Sequence, residues 1–308
     1  MKNSIKIIFG LAFTILLVFF VINKIYLKPY DVPDISKVSL EELNIDFSKE
    51  KAFIRSADKE KHQNNTTNSL DALNEKKLPS LVSKVENLSE KEQIKYLKNG
   101  IQITPDNHVL LNKLRMVMLK QGLTNEYIDF VKQFETNKNI KLHLALAYVD
   151  LLQDPDLGTA ALGQRSTQSI IILNEILDEN PNNLLARYAR GVNNLYWPSG
   201  LKRTEKAIQD LAFCVAIAEK YADLKFPLFE DFYITYGDAL IKEGKFKEGR
   251  AVWERGYKQF PASKELEIRQ TADDSQSLKI VEKIRGIDIF QRPDESITDL
   301  DILWTNNK

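Results

Sequence analysis

Between residues 229 and 261 the apolar residues fall at helical spacing twice, with a break between, and this constrains the chain more than any other stretch. Phe229, Tyr233, Tyr236 and Leu240 stand four, three and four residues apart. That spacing lays one apolar stripe along a helix. Gly244 closes it, because a residue with positive φ is cheap there. Phe246 restarts the pattern, Gly249, Trp253, Gly256 and Tyr257 follow, and Pro261 stops it, since proline cannot continue a helix. Gly237 on the first helix and Gly249 and Gly256 on the second remove side chains. Two helices can then approach closely, with Tyr236 and Trp253 filling the space beside them.

This hairpin, 231–261, resembles a tetratricopeptide repeat (TPR). That pattern has a Leu-Gly step in its first helix, small residues in its second and a closing proline after about 34 residues. Tyr236 stands at the Leu position and Gly237 at the Gly position. Gly249 and Gly256 replace the usual alanines, Trp253 takes the aromatic place and Pro261 the proline. A plain helical hairpin in another all-α fold is the competing reading. Recurrence supports the repeat. Pro105 and Pro181 also end apolar helical stretches, and the three prolines lie 76 and 80 residues apart, close to two repeats plus insertions. Helices are expected at 107–120, 125–135, 141–152, 166–178, 184–196 and 204–221. That makes about four pairs, and a solenoid of this kind needs at least about three.

The resemblance covers 88–261 and implies an all-α, TPR-like solenoid of helical hairpins in a right-handed superhelix. It also implies a groove that holds a protein or peptide partner. Asp231, Ile234, Asp238 and Ile241 lie opposite the Tyr233–Tyr236 stripe, on the side the family uses for that groove. Residues 275–284 read as a capping helix. The acidic tail, 286–308, carries Phe290, Ile297, Leu300, Ile302, Leu303 and Trp304. It is expected to pack on the array, the alternative being a peptide offered to another protein.

Two places break the rhythm. Residues 154–166 and 196–203 read as insertions, and loops raised on a rigid scaffold often carry binding. Trp197 in the second either folds back over the hairpin core, which is the expectation, or stands out as a partner anchor. Arg187, Arg190 and Asn194 form a polar stripe where the repeat places packing residues. The expected reading is a solvated helix face. If the stripe faces inward, Arg187, Arg190 and Arg203 are candidates to bind a carboxylate or an acidic tail.

The N-terminus points to a membrane. Lys2 and Lys6 precede an uncharged run from 7 to 23. As a helix it spans about 24 Å at 1.5 Å per residue, and Ile25 and Tyr26 extend it if Lys24 snorkels. The run ends in Phe19, Phe20, Val21, Ile22 and Asn23, unsuited to signal-peptide cleavage. An uncleaved signal anchor at 7–26 is therefore expected, with 1–6 cytoplasmic. The body then lies outside the cytoplasm, on a cell (inner) membrane facing the periplasm if the source is bacterial. Residues 27–86 read as a flexible polar linker, 87–262 as the repeat domain, and 263–308 as capping helix and tail.

Other classes find little support. Lysine plus arginine equals aspartate plus glutamate, 43 each, against a basic nucleic-acid face. No Gly-rich phosphate loop, HExxH, paired cysteine or Gly-x-Ser-x-Gly elbow occurs, so no enzyme, catalytic residue, cofactor or metal is expected. Cys214 reads as a core residue. His62, His108 and His143 are scattered. A small-molecule carrier using the long loops is the alternative to a protein-binding scaffold.

Overall fold

In the computed structural model the described residues are 28–63, 74–134 and 138–305. The chain divides into units 1–32 and 33–308. Of the first only 28–32 are described, without regular structure. The membrane-spanning expectation for 7–26 lies outside the described residues, among which no helix is long and apolar enough to cross a membrane.

Within the second unit every regular element among the described residues is helical. The helices are α1 (Ser48–Gln63), α2 (Leu78–Val85), α3 (Glu90–Ile103), α4 (His108–Lys120), α5 (Thr124–Val131), α6 (Lys138–Asp150) and α7 (Thr159–Glu179). They continue with α8 (Leu184–Leu195), α9 (Arg203–Lys220), α10 (Leu228–Lys242), α11 (Phe246–Gln259), α12 (Lys264–Thr271) and α13 (Asp274–Arg285). From α1 to α12 each packs on its neighbours in the chain, and α4, α6, α8, α10 and α13 also touch in that order. The result is a TPR-like stack of hairpins with one inner layer of helices.

The prolines punctuate the stack by one device. After Pro105, Pro181 and Pro261 the chain makes a turn, and the residue two places on caps the next helix. Asn107 Oδ1 accepts from Leu110 N at 3.0 Å, Asn183 Oδ1 from Ala186 N at 2.9 Å, and Ser263 Oγ from Leu266 N at 3.2 Å. Each cap satisfies a donor that the first helical turn would otherwise leave orphaned.

Helix contact in the last hairpin depends on the glycines. A Cβ on Gly237 would stand 2.2 Å from Trp253 Nε1, and one on Gly256 2.5 Å from Tyr233 Cβ. Trp253 is fully buried and donates its indole N–H to the Ile234 carbonyl at 3.2 Å. Gly244 sits at φ +78°, as the turn requires.

Three sequence expectations change. The linker expected at 27–86 is in large part body. Val38, Leu43, Phe47 and Ala57 are buried, and α1 and α2 form a hairpin. Lys220 Nζ and Tyr221 Oη donate to the Val38 carbonyl at 2.8 and 3.0 Å, and Asn180 Nδ2 to the Glu42 carbonyl. These apolar residues are sparse in a polar stretch, but a groove end supplies their partners. Of that stretch, 64–73 lie outside the described residues. The loop expected at 154–166 shrinks to 154–158, because α7 starts at Thr159. An extra helix, α12, stands between the last hairpin and the capping helix.

Candidate functional site

The inner helices present a concave face, and the chain's own tail lies along it. Segment 286–305 runs from α8 back toward α4, against the order of the array. At its start, Ser199 N donates to the Ile287 carbonyl at 2.8 Å and Gln291 N to the Tyr196 carbonyl at 3.0 Å. Phe290 meets Trp197 edge-on, ring centroids 5.5 Å apart. Arg292 then donates to the carbonyls of Leu152 (2.5 Å) and Leu157 (2.8 Å), acceptors left over at and beyond the end of α6.

Further along, the tail completes a buried ion pair. Arg115 Nη1 donates to Asp150 Oδ2 at 2.8 Å, both side chains essentially inaccessible. Thr298 donates to the other Asp150 oxygen at 2.5 Å, and its carbonyl accepts from Arg115 Nη2. A buried charge pair is tolerable only when its remaining donors and acceptors are met, and the tail meets several of them. Asn112 donates to Asp299 Oδ1 at 2.7 Å and accepts from Leu300 N at 3.1 Å.

The tail ends in an aromatic cluster. Trp304 is buried against Phe47 and His108, with ring centroids 6.1 and 6.3 Å away. Phe47 also stacks on Phe226 at 6.2 Å. His108 Nδ1 lies 3.1 Å from His143 Nε2, so one ring donates and the other accepts. Burial holds His108 down to about 4, and holds His143 well below the ordinary value, with His108 and Arg115 adding to it. Both rings are therefore neutral at pH 7. Their sequence separation of 35 gave no sign of this pairing.

Beside the tail remains a cavity of about 570 Å³, open on one side, walled by α6, α8 and α10 and by residues 293–305. Leu146, Val149, Ala189, Val192 and Ile234 line it, together with Asp231, Asp294, Asp299 and Asp301.

The candidates from the sequence divide. Asp231 and Ile234 line the cavity. Asp238 and Ile241 are fully buried and do not. Asp238 accepts from Arg269 Nε and Arg285 Nε, each at 2.9 Å, because α12 and α13 cover that end of the face. Trp197 folds inward as expected. It is 9% exposed, donates to Ser166 Oγ at 2.7 Å, and lies under the Arg203 guanidinium at 4.8 Å.

The solvated-face expectation for Arg187, Arg190 and Asn194 is overturned, since all three are buried. Asp210 on α9 supplies the charge. Its carboxylate accepts from Arg187 Nη1 at 2.9 Å and from Arg190 Nε and Nη2 at 2.8 Å. With Asp210 seated between them, these arginines join helices rather than face a partner. Arg203 is likewise buried, beside Asn194.

Lys242 is a residue that sequence reading passed over. It is buried, and its ammonium donates to the carbonyls of Leu195, Trp197 and Arg285 at 2.9, 2.9 and 3.2 Å. It thereby ties α8, its following loop and α13 to α10. Burial, and after it Arg285, pushes its pKa down to about 8, so it remains charged at pH 7. Cys214 is buried, and burial raises its thiol well above the ordinary value. Among the described residues no group of three His, Cys, Asp or Glu could hold a metal ion.

No protein-family model matches the chain, and no curated protein does. Among solved structures, it is similar to a thermophilic TPR protein of Thermus thermophilus. The two are 17% identical with a TM-score of 0.46, over 66% of this chain and 94% of that one.

Proposed function

We propose that this protein is a non-enzymatic scaffold, tethered to a membrane through 7–26, whose concave face holds a segment of a partner protein outside the cytoplasm. The observation that carries the reading is the seating of 286–305. A polypeptide whose regular structure is limited to two short 3-10 helices, Glu295–Thr298 and Asp301–Leu303, already lies on the inner helices, gripped through its backbone at Ile287, Gln291, Thr298 and Leu300 and through side chains such as Arg292. Beside it the face stays open as the cavity of about 570 Å³. The tether and its orientation rest on the apolar run and on Lys2 and Lys6 alone.

Photo-crosslinking tests the reading. A benzoylphenylalanine at Ser296 or Thr305 lines the cavity from a position that is exposed or half-buried, and one at Ile171, 51% exposed on α7, serves as an outside control. In the native membrane the cavity positions are expected to capture one protein that Ile171 does not. Equal capture at all three positions refutes the concave face as the binding surface.

The cavity volume also favours a second reading, because pockets of about 300–1,000 Å³ suit small molecules. A small molecule co-purifying with the intact chain in native mass spectrometry, and lost on Ala189→Trp, supports that reading.

A further inference from the structure

The charge around the open cavity identifies what kind of segment it takes. Its floor is aliphatic, from Leu146, Val149, Val192 and Ile234. Four acidic residues line the cavity, Asp231 from α10 and Asp294, Asp299 and Asp301 from the tail, the last three accepting from the neutral donors Ser296, Asn112 and, for Asp301, also Trp304. Among the described residues the one lysine or arginine lining it is Arg285. That guanidinium is already committed, donating to Asp238 at 2.9 Å and to Tyr196 Oη at 2.5 Å. The balance at the cavity is therefore acidic, although the whole chain carries no net charge.

The chain puts its own acidic residues here. A second acidic segment would meet like charges at close range, which specificity by repulsion disfavours. An aliphatic side chain entering the cavity removes apolar surface from water, at roughly 25 cal/mol per Å². A lysine or arginine beside it meets the carboxylates where the low-dielectric wall strengthens the attraction. Asp301 is half-buried, and burial holds its carboxyl above the ordinary range. An arriving cation would favour its charged form.

We infer that the open cavity is the docking site for a segment of the partner protein in which aliphatic residues alternate with lysine or arginine. This rests on the scaffold reading above and adds the chemistry of the partner. The tail is then one wall of the site as well as a strap.

Fluorescence anisotropy with the full-length chain in detergent tests it, using two labelled ten-residue peptides. One alternates leucine with lysine and the other leucine with glutamate. The basic peptide is expected to bind at least tenfold more tightly. Asp231→Asn/Asp294→Asn, nearly isosteric and with Asp294 exposed, should weaken it about tenfold. Ala189→Trp, which fills the cavity, should abolish it, while near-ultraviolet circular dichroism away from the new indole confirms the fold. Equal affinity for the two peptides, or undiminished binding to either variant, overturns the inference. If neither peptide binds while crosslinks at Ser296 persist, the partner chemistry is wrong and the scaffold stands. If the crosslinks are absent, the scaffold reading falls with it.

Discussion

Gly237 has no room for a methyl group. Alanine there would set a Cβ 2.2 Å from Trp253 Nε1, so the indole must move and leave the Ile234 carbonyl without its donor. Overpacking of this kind costs about 1–3 kcal/mol, and a lost buried hydrogen bond adds roughly 1 kcal/mol or more. Gly237→Ala should therefore lower the urea midpoint clearly, whereas Gly200→Ala, with open space around it, should leave it unchanged. Equal midpoints for both would show that the close approach is not needed. Asp210 is the second sensitive residue. Asp210→Ala strands the Arg187 and Arg190 guanidiniums without their carboxylate, and breaking a buried pair from one side costs about 3–5 kcal/mol. Asp210→Ala/Arg187→Met/Arg190→Met should recover part of that loss, because no charge is then stranded. A triple variant no more stable than the single one would refute the ion pair as the cause. The glycines were legible in the sequence because a gap in a periodic stripe is a local signal. The burial of Arg187 and Arg190 was not, because the charge that permits it sits 23 and 20 residues away on another helix.

At the scale of elements, helices and their stops were readable because capping and periodicity act within a few residues. The tail was readable only as something that packs. Its path depends on Arg115, Asp150 and Asn112, more than 140 positions upstream. Ending the chain after Gly286 removes the partners of these groups and exposes Trp197, which Phe290 covers. The truncated chain should melt several degrees lower and bind an apolar dye that the intact chain ignores. An unchanged melt would mean that the tail is not part of the fold. The His108–His143 contact gives the tail's end a pH dependence. Histidine in an unfolded chain titrates near 6.5, and His108 in the folded one near 4. Between those values the unfolded chain binds more protons, so stability rises with pH. Stability is thus fully present above about 6.5 and declines as pH falls toward 4. The melting temperature should be lower at pH 5 than at pH 7.5, and His108→Gln/His143→Gln should flatten that difference. An equal difference in both proteins would assign it to carboxylates elsewhere.

As a whole molecule the second unit departs from the behaviour of an open solenoid. In such an array each hairpin touches only its neighbours, and a local lesion stays local. Here Phe47 reaches His108 at the start of α4, Phe226 just before α10, and Trp304 near the chain's end. Elements far apart along the stack share one cluster, closed by the segment before α1 from one side and by the tail from the other. The sequence concealed this closure, since Phe47 lies in a stretch that composition alone marks as linker. Phe47→Ala removes a ring that is 5% exposed, and phenylalanine deletions in cores cost about 3–5 kcal/mol. The consequence should be spatially split. Amide exchange should accelerate in the first turns of α4 and α10 and around Trp304, while α12, which packs on α11, keeps its protection. A control at Ile268, 55% exposed on α12, should change none of these. Exchange that quickened only from 33 to 63 would show an ordinary open array with an appended strap. Coupled loss at both helices would show that the concave face is held in shape by the two ends of this unit, so a partner seated there also senses whether they are engaged.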